Sequence, residues 1–398
     1  MTPRRLEPIA VPTGPRVLEL LPALRAALRG DGPVLLPHAA GGLPPAALGP
    51  GGPLAPGEDD ADDPTVAVLT TSGSTGAPKG ALLTASALLA SASATHDRLG
   101  GPGRWLLALP AEHVAGLQVL LRSMITGTEP GVLDLAGGFD PEAFATAARR
   151  LPGRRRYTAL VPTQLRRLLD AGGAPLAALV EFDAVLVGGA AAAEALLLAA
   201  RAAGVRVVTT YGMSETCGGC VYDGTPRGGV RVELDDDGRV LLGGPVVARG
   251  YRGGDPGGAF TTTGPEPTRW FRTDDLGVLD DDGALTVLGR VDDVIVSGGL
   301  KISPAVVEGV LLTLPGVREA VVVGVPDPDW GERIVACVVA ASGATPTLEG
   351  ARRQVGDRAG RHAAPHQLLV LDRLPLRGPG KPDRSRLRQL AEGEHGGR

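Results

Sequence analysis

Apolar residues change their spacing several times along this chain, and each change marks a different kind of structure. Residues 16–28 carry them at helical intervals, 33–36 form a short apolar run, and 41–64 mix Gly, Pro, Ala and acids without a period. The first two predict a helix and a strand, the third an exposed connector. A β-branched run at 65–69 then passes through a Gly/Ser/Thr-rich turn into a helical pattern over 82–98. Strands are expected over 105–109, 131–135, 157–161, 184–187 and 205–210, with helices over 114–126, 141–150, 163–171 and 193–203 between them. Such alternation predicts an α/β fold, with a large N-terminal domain of mostly parallel, helix-covered sheets whose ligands bind where strands end.

Beyond Val221 the helical period stops, and short strands with turns at Asp237-Gly238 and Asp282-Gly283 predict a β-rich subdomain. After Gly289-Arg290-Val291-Asp292-Asp293 the pattern changes again. Helices are expected over 304–314 and 348–361, strands over 320–325, 334–340 and 368–371, and a last helix after Arg377-Gly378-Pro379-Gly380-Lys381. The result is a small α+β C-terminal lid, residues 292–398, beside a domain of residues 1–291.

With 398 residues, 43% hydrophobic and 21% charged, the chain reads as a soluble globular protein, and its net charge of −4 offers no attraction to nucleic acid or membrane. The first seven residues have no apolar signal core, and the Ala/Leu-rich run near 184–200 is broken by Gly188, Gly189 and Glu194, so a cytoplasmic protein is expected. Three cysteines make no disulfide framework. Cys217 and Cys220 have CxxC spacing but lack the further ligands a zinc site needs, and ordinary reduced thiols are expected.

Charge usage sharpens the picture. Lys and Arg total 40, yet the lysines are only Lys79, Lys301 and Lys381, each within a Gly-rich motif. Point-charge chemistry is a reason to keep a compact ammonium where arginine serves elsewhere. The turn Thr71-Ser72-Gly73-Ser74-Thr75-Gly76-Ala77-Pro78-Lys79-Gly80, read between a strand and a helix, offers backbone N–H groups, hydroxyls and one ammonium to a polyphosphate. A Walker A loop would need Gly-Lys-Ser/Thr, which is missing; a polar linker is the alternative.

Together with Tyr211-Gly212-Met213-Ser214-Glu215, Thr273-Asp274-Asp275, the 289–293 segment and Gly378-Pro379-Gly380-Lys381, that turn resembles the ordered motifs of the adenylate-forming superfamily of acyl-CoA synthetases, luciferases and peptide-synthetase adenylation domains. Ser214-Glu215-Thr216-Cys217, His113-Val114-Ala115-Gly116 and the 296–302 stretch are most similar to the o-succinylbenzoate-CoA ligases of menaquinone biosynthesis. Two departures stand out: Asp274 replaces the usual Gly before Asp275, and the amino-terminal region is short.

The resemblance implies ATP, CoA, a small-molecule carboxylate and Mg2+ as ligands, with formation of an acyl-adenylate and then a thioester. Thr71, Ser72, Gly73, Ser74, Thr75, Gly76 and Lys79 would hold phosphates, and Glu215 the Mg2+ ion. Tyr211 with Gly189 and Ala190 would enclose adenine beside Gly212, Met213 and Ser214, while Asp275 and Arg290 would meet the ribose. Lys381 would serve the adenylation step, Asp292 would be the hinge, Gly298, Gly299 and Leu300 would border the CoA channel, and His113, Gly188 and Thr216 the acyl pocket. Another aryl- or acyl-CoA ligase, and a nucleotide-binding protein without turnover, are the competing functions; a homodimer is left open.

Overall fold

The computed structural model describes residues 3–72, 78–255, 257–264, 267–376 and 382–393. Its first sheet has the order β1 (Leu6–Val11), β2 (Val34–Ala39), β3 (Thr65–Ser72) and β4 (Pro78–Thr84). The first three strands run parallel, and β4 returns antiparallel to β3. The phosphate-loop motif is therefore the connection of a hairpin, not a strand-to-helix turn. Helix α2 (Ala85–Arg98) begins only where the Thr84 hydroxyl caps it by accepting from Ala87 N–H. Before it, Ala81 and Leu83 face one core and Leu82 faces another, which is the two-residue alternation of a strand.

The expected helix over 16–28 is divided at Pro22 into a 3₁₀ turn, Gly14–Leu20, and α1 (Leu21–Leu28). The expected exposed connector over 41–64 is partly buried. Leu48 and Leu54 pack under the first sheet, and Glu58 is 6% exposed where it pairs with Arg252.

A second sheet contains β5 (Arg104–Leu107), β6 (Gly131–Val132), β7 (Arg156–Leu160), β8 (Ala184–Val187), β9 (Val207–Met213), β10 (Gly218–Tyr222) and β11 (Thr225–Pro226), in the order β11-β10-β9-β8-β7-β5-β6. From β9 to β6 it is parallel, whereas β10 and β11 fold back antiparallel. Helix α3 (Val114–Ile125) follows β5; α4 (Pro141–Arg150), α5 (Pro162–Ala171), α6 (Gly173–Val180) and α7 (Glu194–Ala202) follow later strands. The sequence pattern missed β1 and α6. Trp105 and Leu107 enter the core shared with α2, α3 and the first sheet, while Leu106 faces the core under α4–α7. Both faces of the strand are thus buried, as in parallel sheets.

The third sheet is all antiparallel: β12 (Arg231–Leu234), β13 (Arg239–Gly243), β14 (Phe260–Thr263), β15 (Thr268–Leu279) and β16 (Leu285–Arg290). A core of Cys220, Val221, Val240, Leu242 and Leu285 fastens it to β10.

The last sheet combines β17 (Ile295–Ser297), β18 (Leu300–Ile302), β19 (Val317–Asp327), β20 (Gly331–Ala340) and β21 (Gln367–Leu371) with α8 (Pro304–Leu311), α9 (Leu348–Ala359) and α10 (Arg384–Gly393). Alternate residues of β19 serve its two faces, Val322 toward α8 and α9, Val321 and Val323 toward Leu387 of α10. Arg384 joins the pieces. It pairs with Asp293 at 3.1 Å and Glu308 at 2.8 Å, and donates to the Val322 carbonyl at 2.7 Å. Burial pushes the Glu308 carboxyl up, and Arg384 opposes that shift.

Among the described residues no helix is long and apolar enough to cross a membrane.

Candidate active site

The β3–β4 register sets Thr71 directly opposite Lys79. Gly80 must lack a side chain, because a Cβ there would stand 2.6 Å from Val68 Cγ1. Gly73, Ser74, Thr75 and Gly76 lie outside the described residues, as does the Ser72 side chain.

The segment 247–252 lies along β4: Leu82 N–H donates to the Gly250 carbonyl at 2.9 Å, and Arg252 N–H to the Gly80 carbonyl at 2.7 Å. It delivers Tyr251, whose ring lies 5.1 Å from Lys79 Nζ and whose hydroxyl donates to Glu215 Oε1 at 2.8 Å. Sequence reasoning missed Tyr251; the only signal was an aromatic residue inside Arg249-Gly250-Tyr251-Arg252.

Glu215 occupies a 3₁₀ turn, Ser214–Thr216, at the end of β9, and is 7% exposed. Burial pushes its carboxyl up; the Tyr251 and Thr71 hydroxyls and the Lys79 charge pull it back. A buried, acceptor-only group next to an ammonium and hydroxyls fits a hard divalent cation that keeps its remaining ligands for phosphate and water. Ala248 N–H holds the Glu215 carbonyl at 2.8 Å, so backbone and side chain of this residue are both fixed by the 247–252 segment.

The strand expected over 205–210 runs on through Tyr211, Gly212 and Met213, the last residues of β9. Gly212 permits the close return of β10: a Cβ on it would stand 2.1 Å from the Gly218 carbonyl oxygen. Thr216 is fully buried, and its hydroxyl donates to the Gly218 carbonyl at 2.8 Å and accepts from Met213 N–H at 3.0 Å. It shapes the turn instead of presenting a free hydroxyl. Gly188, just beyond β8, has the Thr210 carbonyl 2.5 Å from where a Cβ would be, which brings 188–190 alongside the end of β9. Gly189 uses a left-handed φ of 76°, and Ala190 follows it.

The Tyr211 hydroxyl donates to Asp275 Oδ2 at 2.7 Å. Burial and that carboxylate push the phenol far up, so Tyr211 is a donor at any working pH. Asp275 faces Arg290 across the β15–β16 register, with Arg290 Nη1 at 3.8 Å. Asp274, where the resembling families have Gly, lies within β15, so no glycine-only backbone is needed. Its carboxylate holds Arg290 at 3.2 Å and Arg239 at 3.4 Å.

Arg290 also reaches Asp292 at 3.5 Å, in the 3₁₀ turn Val291–Asp293. Gly298 and Gly299, with φ of 58° and 78°, make the β17–β18 turn, which packs on Trp330 and leaves Leu300 half exposed. These three belong to the C-terminal sheet. His113 is an exposed residue at the N-cap of α3. Lys381 lies outside the described residues. Cys217 and Cys220 are buried and form no disulfide, with the Cys220 thiol pushed up to about 12 by burial.

Comparison with known proteins identifies the family. The AMP-binding enzyme model matches residues 37–252, and the AMP-binding enzyme C-terminal domain matches 306–381. The chain belongs to the AMP-binding enzyme family. A relative of Mycobacterium tuberculosis named probable 2-succinylbenzoate–CoA ligase is 48% identical over 387 residues, covering 96% of this chain and 98% of that protein. A 2-succinylbenzoate–CoA ligase of Listeria monocytogenes is 32% identical, covering 81% and 69%. Among solved structures, o-succinylbenzoate CoA synthetase of Bacillus subtilis with its OSB-AMP intermediate aligns at TM-score 0.69 and 30% identity, covering 82% of this chain and 69% of its own. ATP-bound MatB of Rhodopseudomonas palustris, at TM-score 0.80 and 23% identity over 99% and 90%, shares the adenylate-forming fold.

Proposed function

We propose that this member of the AMP-binding enzyme family is an ATP-dependent acid–thiol ligase that activates 2-succinylbenzoate as its adenylate and transfers the acyl group to CoA. The observation that carries this reading is the near end-to-end similarity to the mycobacterial relative, 48% identical over 96% of the chain. The Bacillus subtilis neighbour was solved with the corresponding acyl-adenylate, and in a separate structure with ATP and magnesium. The reading places the enzyme in menaquinone biosynthesis in the cytoplasm.

In this proposal the β3–β4 turn and Lys79 receive the β- and γ-phosphates. Glu215 holds Mg2+, which when bound neutralises phosphate charge. Tyr211 lies against the adenine with Gly189 and Ala190 beside it, and Asp275 and Arg290 serve the ribose hydroxyls. The substrate carboxylate displaces pyrophosphate from the α-phosphorus, Lys381 stabilising the charge that builds; the CoA thiol then attacks the acyl carbon and AMP leaves. His113, Gly188 and Thr216 border the acyl group, Thr216 by shaping the turn that follows β9.

Residues 1–291 and 292–398 are the two moving bodies, and Asp292 is the hinge that exchanges the Lys381 loop for the Gly298–Leu300 turn. Asp292→Pro removes one torsional freedom at that point. It is expected to slow one half-reaction at least tenfold more than the other, measured as pyrophosphate release against thioester formation from supplied adenylate. Unchanged kinetics in both would move the hinge elsewhere.

Pyrophosphate release with ATP, Mg2+ and CoA, across 2-succinylbenzoate, benzoate and medium-chain fatty acids, tests the whole reading. A strong preference for 2-succinylbenzoate is expected. Preference for another acid would keep the chemistry and change the pathway, and release with none would leave a nucleotide-binding protein.

A further inference from the structure

Lys79 and Glu215 bring opposite charges into one site, close enough for the ammonium to act on the carboxyl. Two such groups are drawn to each other. Yet among the described residues Lys79 pairs with no carboxylate and Glu215 with no cation. One side chain, Tyr251, touches both: its ring face lies 5.1 Å from Lys79 Nζ, and its hydroxyl donates to Glu215 Oε1 at 2.8 Å.

Glu215 cannot withdraw from this position. Ala248 N–H holds its carbonyl at 2.8 Å, and Gln118 of α3 holds the turn that follows, its Nε2 donating to the Cys217 carbonyl at 2.7 Å and the Leu88 carbonyl at 3.3 Å. Lys79 differs, because its flexible stem can swing the ammonium to whichever anion is in reach.

Tyr251 is fixed as firmly as Glu215. It is 8% exposed, its backbone bridges Ala81 of β4, and the Phe260 ring meets its own edge-on at 5.0 Å and 79°. The next residue anchors the segment to the amino-terminal connector. Arg252 donates from Nε to the Leu48 carbonyl and from Nη2 to the Pro53 carbonyl, both at 3.0 Å, and pairs with buried Glu58, whose Oε1 accepts from Gly253 N–H at 2.7 Å.

We propose that Tyr251 is a positioning residue that keeps Lys79 and Glu215 from neutralising each other, so that the ammonium stays free for phosphate and the carboxylate for the divalent cation. This deepens the ATP and Mg2+ reading above and rests on it. The ring face shelters the ammonium and the hydroxyl occupies one carboxylate oxygen. An arriving nucleotide then displaces a cation–π contact, which gives way at lower cost than a half-buried ion pair would.

ATP binding in EDTA, measured by calorimetry, reads the ammonium without the metal. Tyr251→Leu is expected to weaken it about tenfold, because Glu215 then captures Lys79, and adding Glu215→Gln to Tyr251→Leu should restore the affinity to within about threefold of native. Loss without rescue would mean that Tyr251 only supports the local fold, and no loss would mean that the charges stay apart unaided; either result overturns the proposal. Tyr251→Phe keeps the ring and its Phe260 contact, and carries the test if Tyr251→Leu does not fold. It is expected to hold metal-free ATP binding within about twofold of native while raising the Mg2+ concentration at half-maximal pyrophosphate release about fivefold. Unchanged Mg2+ dependence in that variant would equally overturn the proposal. A native protein that binds metal-free ATP no more tightly than Lys79→Met would overturn the phosphate assignment itself.

Discussion

Lys381→Ala is expected to lower pyrophosphate release roughly a hundredfold or more, while thioester formation from supplied acyl-adenylate and CoA stays within about threefold of the native rate. The asymmetry is the content of the prediction. In the proposed chemistry the ammonium neutralises charge as the carboxylate meets the α-phosphate, and the later thiol attack draws on the Gly298–Leu300 turn instead. Lys381→Arg should recover little, because a forked guanidinium does not replace a compact point charge between two oxyanions. Rapid-quench measurement of each half-reaction checks this. Equal loss in both steps would remove the assigned role.

Glu215→Gln is expected to reduce Mg2+-dependent ATP use at least tenfold and to raise the Mg2+ concentration at half-maximal rate. The same change should make the unliganded protein no less stable at neutral pH. Glu215 is a carboxyl whose pKa is raised in the folded state by burial. Its favourable contribution is therefore complete below the unfolded value near 4.5 and is lost as pH rises through the elevated folded value. A neutral amide avoids that loss, so the melting temperature of Glu215→Gln relative to native should climb as pH rises through this window. Activity and stability moving in opposite directions would mark a carboxylate kept for its ligand; unchanged Mg2+ dependence would locate the metal elsewhere.

Much of the fold was legible because period and burial agree in the second sheet. Strands β7 and β8 and helices α3, α4 and α7 lie within a few residues of their expected positions. The start of strand β4 was read as turn and its end, from Leu82, as helix, because Ala81, Leu82 and Leu83 are all buried, on two different faces, so no polar residue reveals the alternation. The 41–64 segment looked like solvent because its anchor, Arg252, pairs with Glu58 from far along the chain. Long-range pairing leaves no local period.

The candidate site divides in the same way. Tyr211, Glu215, Asp275 and Arg290 stood out because their types and order resemble a known family, and the structure joins Tyr211, Asp275 and Arg290 in one bonded series. Tyr251 and Gln118 did not stand out. The contacts of both, Tyr251 with Glu215 and Lys79 and Gln118 with the Cys217 and Leu88 carbonyls, are ones that only the folded chain creates.

Arg384 binds Asp293, Glu308 and the Val322 carbonyl together, so the start of α10, the Val291–Asp293 turn and the sheet that bears the Gly298 turn share one frame. Such a frame behaves as a lever with two working ends. In the proposed cycle, a molecule that clamps either end onto the large domain holds the other end away and arrests turnover without occupying the second binding site.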